Sequence, residues 1–212
     1  MEIVKSIGYD QQEIINNILK LHNNGNPIDL DCTYSKGVFY KNRIVQEPKY
    51  KSDLEPLFDD VVKADSRNLP FENNYLQCII CDLPFLATTG KSLNKEKGNI
   101  INKRFSVFKN EKELHKTYLN TLKEIYRVLK QNGVLIFKCQ DKVSSGKQYF
   151  TSIFTYNKAV EIGYYPLDLF ILLSNSRIVA NWQRKQKHSR KYHSYFWVFK
   201  KCDKKIDYEE IK

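Results

Sequence analysis

Residues 76–85 read Leu76-Gln77-Cys78-Ile79-Ile80-Cys81-Asp82-Leu83-Pro84-Phe85. The first six are nearly continuous in apolar character, as a strand covered on both faces is in a parallel sheet. Asp82 follows at the C-terminal tip of that strand, where open α/β sheets bind ligands. Pro84 restricts Leu83 to extended backbone and so gives the Leu83 carbonyl a fixed direction. Phe85 adds a ring that can stack on a planar group. A strand-terminating Asp followed by a Pro turn is the plainer explanation of the same residues.

Outward from this stretch the chain alternates between strands and helices. Residues 11–21 carry Ile14, Ile15, Ile18 and Leu21 at helical spacing, and Asn23-Asn24-Gly25-Asn26-Pro27 breaks the run. Short strands are predicted over 28–32, 50–53 and 61–65. Asn110, with Glu113 three residues later, resembles a capping box. Leu114, Tyr118, Leu122, Ile125 and Leu129 then give one apolar helix face, and Gln131-Asn132-Gly133 stops it. A strand over 134–139, a helix over 149–162 closed by Gly163, and strands over 167–173 and 192–199 complete the pattern. This alternation predicts an α/β fold with a mostly parallel sheet and a final strand returning antiparallel. Residues 1–212 are read as a single domain. The one long segment without clear periodicity is a loop insertion at 87–110 with six Lys or Arg, and a basic hairpin connection lies at 177–192.

The composition, 42% hydrophobic and 28% charged, is globular rather than disordered. Lys and Arg number 35 against 24 Asp and Glu, and the net charge of +11 favours a polyanionic partner. A Lys-rich composition without functional meaning gives the same excess. No apolar run reaches membrane-spanning length and the N-terminus lacks the apolar core of a signal peptide, so no membrane partner is expected. Five scattered Cys suit a reduced, cytoplasmic protein without a disulfide framework. Cys78 and Cys81 form a CxxC by count only, because they face opposite sides of a strand. No metal is expected there. The sequence contains no GxSxG and no GxxxxGK[ST], which excludes serine-hydrolase and phosphate-loop readings.

Three further segments carry candidate site residues. Asp31-Cys32-Thr33-Tyr34-Ser35-Lys36-Gly37 follows the first strand, and a cofactor lying over such a turn needs small residues for close approach to backbone. Asp31, Thr33, Tyr34, Ser35 and Gly37 are the cofactor-binding candidates. A tight ligand-free turn explains the segment equally well. Asp53 lies 22 positions after Asp31 and can accept from both ribose hydroxyls, the alternative being a solvated charge near Pro56. Asp65 ends the third strand and can accept from an adenine amino group, the alternative being an Asx turn over Asp65-Ser66-Arg67. Residues 182–195, WQRKQKHSRKYHSY, interleave five Lys or Arg with aromatics. Arg184, Lys185, Lys187, His188, Arg190 and Lys191 are nucleic-acid-binding candidates there, against the alternative of a solvated hairpin loop. The two His of this segment have no carboxylate or Cys at ligand spacing, so no metal site is expected.

The residues around Asp82 suit one chemistry well. The exocyclic amine of adenine or cytosine is a poor nucleophile because its lone pair is conjugated into the ring. Two acceptors on its hydrogens, Asp82 and the Leu83 carbonyl, help it pyramidalise and aim a lone pair at a methyl donor. Phe85 stacks on a base that has left the helix.

From about residue 12 to residue 200 the chain resembles the class I S-adenosylmethionine-dependent DNA methyltransferases that modify base amino groups, particularly small stand-alone enzymes of phages and mobile elements. The resemblance implies a seven-stranded, Rossmann-like, mostly parallel sheet ending in an antiparallel β-hairpin. It casts residues 31–37 as the cofactor loop, Asp53 as the ribose-binding acid and Asp65 as the reader of the cofactor's adenine. It casts Asp82-Leu83-Pro84-Phe85 as the catalytic motif usually written [DNS]-P-P-[YFW]. The stretch Glu124-Ile125-Tyr126-Arg127-Val128-Leu129-Lys130-Gln131-Asn132-Gly133-Val134-Leu135 resembles the helix-turn-strand common across that superfamily. Two departures stand out: Ser35-Lys36-Gly37 replaces the usual Gly-x-Gly, and Leu83 replaces the first Pro. Enzymes that dimethylate ribosomal-RNA adenines carry a similar Asn-[LI]-Pro-Tyr, which brings an RNA substrate closer. The expectation is methyl transfer from S-adenosylmethionine to the exocyclic amine of a DNA base, adenine ahead of cytosine. RNA adenine methylation and a non-catalytic nucleic-acid-binding protein on the same fold are the alternatives.

Overall fold

A computed structural model of the chain describes residues 3–87, 108–176 and 186–206. The elements run β1 (Ile7–Gly8), α1 (Gln11–His22), β2 (Leu30–Asp31), β3 (Tyr50–Asp53), β4 (Val62–Lys63), β5 (Leu76–Cys81), α2 (Glu111–Val128), β6 (Leu129–Cys139), β7 (Lys142–Ser144), β8 (Lys147–Tyr149), α3 (Thr151–Ile162), β9 (Tyr164–Leu173) and β10 (His193–Lys201). The main sheet has the order β1-β9-β10-β6-β5-β2-β3-β4. All neighbouring pairs are parallel except those made by β10, which is antiparallel to both β9 and β6. This is the Rossmann-like sheet with a terminal antiparallel hairpin. All seven expected strands are present, and β1 adds a two-residue eighth at the edge, pairing Ile7 with Ile171.

The chain lays β2, β3 and β4 outward in one direction, then β5 and β6 in the other. The order therefore reverses between β2 and β5, and their C-terminal tips open a crevice. Alternation along β5 sends Ile79 and Cys81 to one face of the sheet and Cys78 and Ile80 to the other. On the first face they meet Leu114, Tyr118, Leu122 and Ile125 of α2. On the second they meet Ile14, Ile15 and Ile18 of α1, together with Phe39 and Tyr40. Each fully buried side chain of this size contributes about 1.5–3 kcal/mol, so a helix on each face stabilises the sheet between them.

Several boundaries differ from the sequence reading for identifiable reasons. Leu21, placed on the buried face of α1, is 51% exposed, and Leu19 takes the core position instead. Asn110 caps α2 by accepting from Glu113 N at 2.8 Å. Glu113 reaches back to Lys109 N, one residue beyond the cap, also at 2.8 Å. The helix ends at Val128, before Gln131-Asn132-Gly133, and β6 starts at Leu129 rather than at 134. Asn132 has φ 66 and the register shifts between Leu76 and Cys78, so the polar triplet is a bulge inside the strand. A Cβ on Gly133 would lie 2.8 Å from the Lys130 carbonyl, hence glycine there. Residues 142–149 form the β7–β8 hairpin, with Ser145 and Gly146 both at positive φ. The helix after it begins at Thr151 because its cap comes from elsewhere: Asp141 accepts from Ser152 N at 2.9 Å. Strand β9 begins at Tyr164 and carries Pro166 opposite a register shift in β10, where a proline is tolerated. The loop expectations at 88–107 and 177–185 lie outside the described residues.

Among the described residues no helix is long and apolar enough to cross a membrane. Cys32, Cys78, Cys81 and Cys139 are buried free thiols, and burial pushes the Cys78 and Cys139 thiols up, out of the reactive range.

Arg127 fastens the segment between β4 and β5 to α2. It donates to the carbonyls of Leu69 at 3.1 Å and Phe71 at 2.9 Å and to Glu124 Oε1 at 2.6 Å. Glu124 in turn accepts from Leu69 N at 2.7 Å. We expect Arg127→Ala to destabilise the fold by about 2–4 kcal/mol, since it strands the Phe71 carbonyl and leaves the mostly buried Glu124 carboxylate without its counter-charge. Urea denaturation checks this, and a loss below about 0.5 kcal/mol would show that water replaces the guanidinium without penalty.

Candidate active site

Asp31 ends β2 with 1% of its surface exposed. Its carboxylate accepts from Thr33 N at 2.9 Å and from Tyr40 Oη at 2.9 Å. Burial pushes its carboxyl up to about 7; the two hydrogen bonds oppose that rise and the nearby Asp82 charge adds to it. Thr33 Oγ1 lies 3.4 Å from Asp31 Oδ1 and accepts from Asp82 N at 2.7 Å. One threonine therefore joins the tips of β2 and β5.

The loop beyond is stitched to the tip of β3. Tyr34 N donates to the Ser52 carbonyl at 3.1 Å, and Ser35 N donates to Asp53 Oδ2 at 2.9 Å. Glu55 N donates to Asp53 Oδ1 at 2.9 Å. Tyr34 stacks on Tyr40 with centroids 5.6 Å apart and donates to Glu47 at 2.9 Å. Ser35 at φ 50 and Gly37 at φ 61 both adopt the left-handed region. A Cβ on Gly37 would lie 2.7 Å from Tyr34 Oη, so this position needs glycine for its conformation and for space. Ser35 thus takes up the left-handed conformation at the position where the resemblance expects glycine.

Besides Thr33, the Asp82-Leu83-Pro84-Phe85 turn is held by three side chains that the motif does not contain. Tyr118 Oη donates to the Leu83 carbonyl at 3.3 Å and lies 3.4 Å from that of Pro84. Lys142 Nζ donates to the Phe85 carbonyl. It also pairs with Glu111 at 3.1 Å in a largely buried contact; burial lowers the Lys142 pKa, and Glu111 opposes that drop. The third is Lys138, whose Nζ lies 2.8 Å from Asp82 Oδ2. Asp82, expected as one acceptor of the amine, is also half of an ion pair. Asp82, Phe85, Lys138, Cys139, Gln140 and His193 line a pocket of about 200 Å³ that opens beside this turn.

Two sets of expected residues lie apart from this cluster. The Asp65 carboxylate is bound by Arg67 through Nε and Nη2, and Arg67 N completes an Asx turn at 2.9 Å. Arg67 holds the Asp65 carboxyl below the usual carboxylate range. Lys187 and His188 are exposed and Arg190 and Lys191 half-buried, in the segment that leads into β10 and to His193 at the pocket. Arg184 and Lys185 lie outside the described residues. Sequence reasoning missed Lys138, Tyr40 and Lys142. Lys138 left a signal, being the lone charge in the apolar run Val134-Leu135-Ile136-Phe137-Lys138-Cys139. Among the described residues no cluster of His, Cys, Asp or Glu could hold a metal ion.

No family model and no curated protein matches the chain. Among solved structures, a candidate sarcosine dimethylglycine methyltransferase from Galdieria sulphuraria is similar over 92% of this chain and 86% of its own, with TM-score 0.53 and 15% identity. A candidate DNA modification methylase from Thermus thermophilus has TM-score 0.45 at 15% identity, over 69% of this chain and 56% of that one. The PvuII cytosine-N4-specific DNA methyltransferase has TM-score 0.43 at 15% identity, over 70% and 51%. This chain thus spans about half the length of the two DNA enzymes. The Galdieria likeness shows the fold, a Rossmann-like sheet, and in this chain the crevice lies at the β2 and β5 tips.

The Asp31 carboxyl ties stability to pH. Its folded value near 7 lies above the ordinary 3.8. The native state therefore keeps a proton that the unfolded chain has released, and stability falls as pH rises from about 4 to about 7. Asp31→Asn should lack this slope. Across that window the stability difference between wild type and variant is expected to change by about 4 kcal/mol in the variant's favour. Urea melts at successive pH values check it, and parallel curves for the two proteins would contradict it.

Proposed function

We propose that this chain transfers a methyl group from S-adenosylmethionine to the exocyclic amine of a nucleic-acid base, with DNA as the substrate and adenine ahead of cytosine. The observation that carries the reading is the β5 tip. A carboxylate, a carbonyl of fixed direction and an aromatic ring follow one another there, at the lip of a pocket and at the strand-order reversal of this fold.

The residues at the neighbouring tips fit the cofactor. Gly37 keeps the loop surface low enough for close approach. Each oxygen of Asp53 accepts one backbone N–H and retains a lone pair for a ribose hydroxyl. Asp82, at the tip of β5, brings a carboxylate towards a sulfonium. When bound, S-adenosylmethionine supplies an electrophilic methyl group. A role for Asp65 towards the cofactor's adenine requires Arg67 to share that carboxylate.

On the substrate side, Asp82 Oδ1 accepts one amine hydrogen and the Leu83 carbonyl the other. Tyr118 and Lys142 keep the turn from shifting, so the acceptors cost little reorganisation when the amine pyramidalises. Phe85 stacks on the extruded base. Lys187, His188, Arg190 and Lys191, in the segment that leads to His193 at the pocket, would meet phosphates, and Arg184 and Lys185 extend the same basic run in the sequence. RNA is the second reading, favoured by Leu83 in place of the first Pro of the DNA-type motif.

The test is transfer of labelled methyl from S-adenosylmethionine to duplex DNA and, in parallel, to total RNA, followed by nucleoside mass analysis. Label in methyladenine or methylcytosine from DNA is the expected result. Asp82→Ala should lower turnover by about 10²–10³-fold or more while leaving cofactor binding in place. Label in RNA alone would move the assignment to the second reading. A variant with wild-type turnover would remove Asp82 from the mechanism.

A further inference from the structure

Lys138 is a charged side chain in a strand whose neighbours are buried, with 16% of its side chain exposed. Its ammonium touches Asp82 Oδ2 at 2.8 Å and lies 3.4 Å from Gln11 Oε1. It rests above the rings of Phe39 at 5.2 Å and Phe196 at 5.5 Å. A pair this enclosed is weak support for stability, because apolar side chains of similar size serve a fold at least as well. Lys138 and Asp82 both line the pocket beside the motif turn.

The pocket wall thus presents an acceptor and a donor side by side. That pattern is complementary to a base edge on which an amine adjoins a ring nitrogen acceptor. Adenine offers such an edge through its amine and N1, and cytosine through its amine and N3. Extruded bases are read along this edge. On its Watson–Crick edge the amine of guanine adjoins an N–H, which would face the ammonium donor against donor. Aliphatic amines have no ring acceptor at all. The pair therefore attracts the Watson–Crick edges of adenine and cytosine and opposes that of guanine, so that selectivity has a repulsive as well as an attractive element.

We infer that Lys138 is the specificity-determining residue of the pocket, donating to the ring nitrogen beside the amine that Asp82 accepts. The inference rests on the reading of Asp82 as the amine's acceptor. One N–H of the ammonium serves Asp82, and the others are available to Gln11 and to the base. The ion pair holds the two groups in the spacing that the base edge requires before any base enters.

The probe is an oligonucleotide whose target base takes label from the wild-type chain. It is resynthesised with 1-deazaadenine, which has CH in place of that ring nitrogen, or with 3-deazacytosine if cytosine is the target. Wild type should prefer the natural base by about ten- to a hundred-fold in kcat/KM. Weaker base pairing by the analogue eases its extrusion, so such a drop reports the lost contact. Lys138→Met should act on both probes equally, and Lys138→Arg, which retains a donor, should keep the preference. Equal wild-type rates on both probes would overturn the inference while leaving base methylation standing, and this comparison needs no variant to fold. If the wild-type chain labels no nucleic acid, the reading beneath it falls and the inference falls with it.

Discussion

The Asp82 amide donates to Thr33 Oγ1 at 2.7 Å, and Thr33 N is anchored in turn on the Asp31 carboxylate at 2.9 Å. These contacts cross the point where the strand order reverses, between β2 and β5. They set the separation of the two tips and the height at which the Asp82 side chain stands. Tyr40 closes the arrangement from beneath by donating to the other Asp31 oxygen. The loop carrying Ser35 and Gly37 is fixed through the same base, because it continues from Thr33 and is pinned to Asp53. A shift at Asp31 would move the loop over residues 33–37 and the Asp82 turn together.

Charge is arranged around this link in opposition to the protein as a whole. The chain carries an excess of +11, yet Asp31, Asp53 and Asp82 gather at the crevice. Asp31 is costly to ionise where it lies, and burial dominates its raised value. Asp82 is held ionically by Lys138 instead. The Lys138 ammonium in turn rests on two aromatic rings, which compensate part of its removal from water. Among the described residues before β10, Lys187 and His188 are exposed and Arg190 and Lys191 half-buried.

Much of this was legible in the sequence because the signals were periodic or chemically conspicuous. The apolar run ending at Asp82 gave β5, the four-and-three spacing from Leu114 gave α2, and Asn110 gave its cap. The offset between Asp31 and Asp53 placed both acids at neighbouring tips. What stayed hidden depended on contacts between distant positions. Asp141 caps α3 from the end of another strand, so the helix start could not be read locally. Lys138 is 56 positions from Asp82, and no local pattern tells which charge will face it. Gln131-Asn132-Gly133 carries the composition of a helix stop, yet the packing of β6 on β5 draws it into a strand as a bulge. Arg67, two residues after Asp65, was visible in the sequence, but whether it would seize that carboxylate was decided by the turn.

On the proposed reading these strand tips bind S-adenosylmethionine. The decisive measurement is calorimetric titration of S-adenosylmethionine into the full chain, with Asp53→Ala beside it. One-to-one binding by the wild type, weakened about tenfold or more in the variant through loss of the ribose acceptor, is the result the account requires. No heat of binding for the wild type, or equal affinity in both proteins, would contradict it.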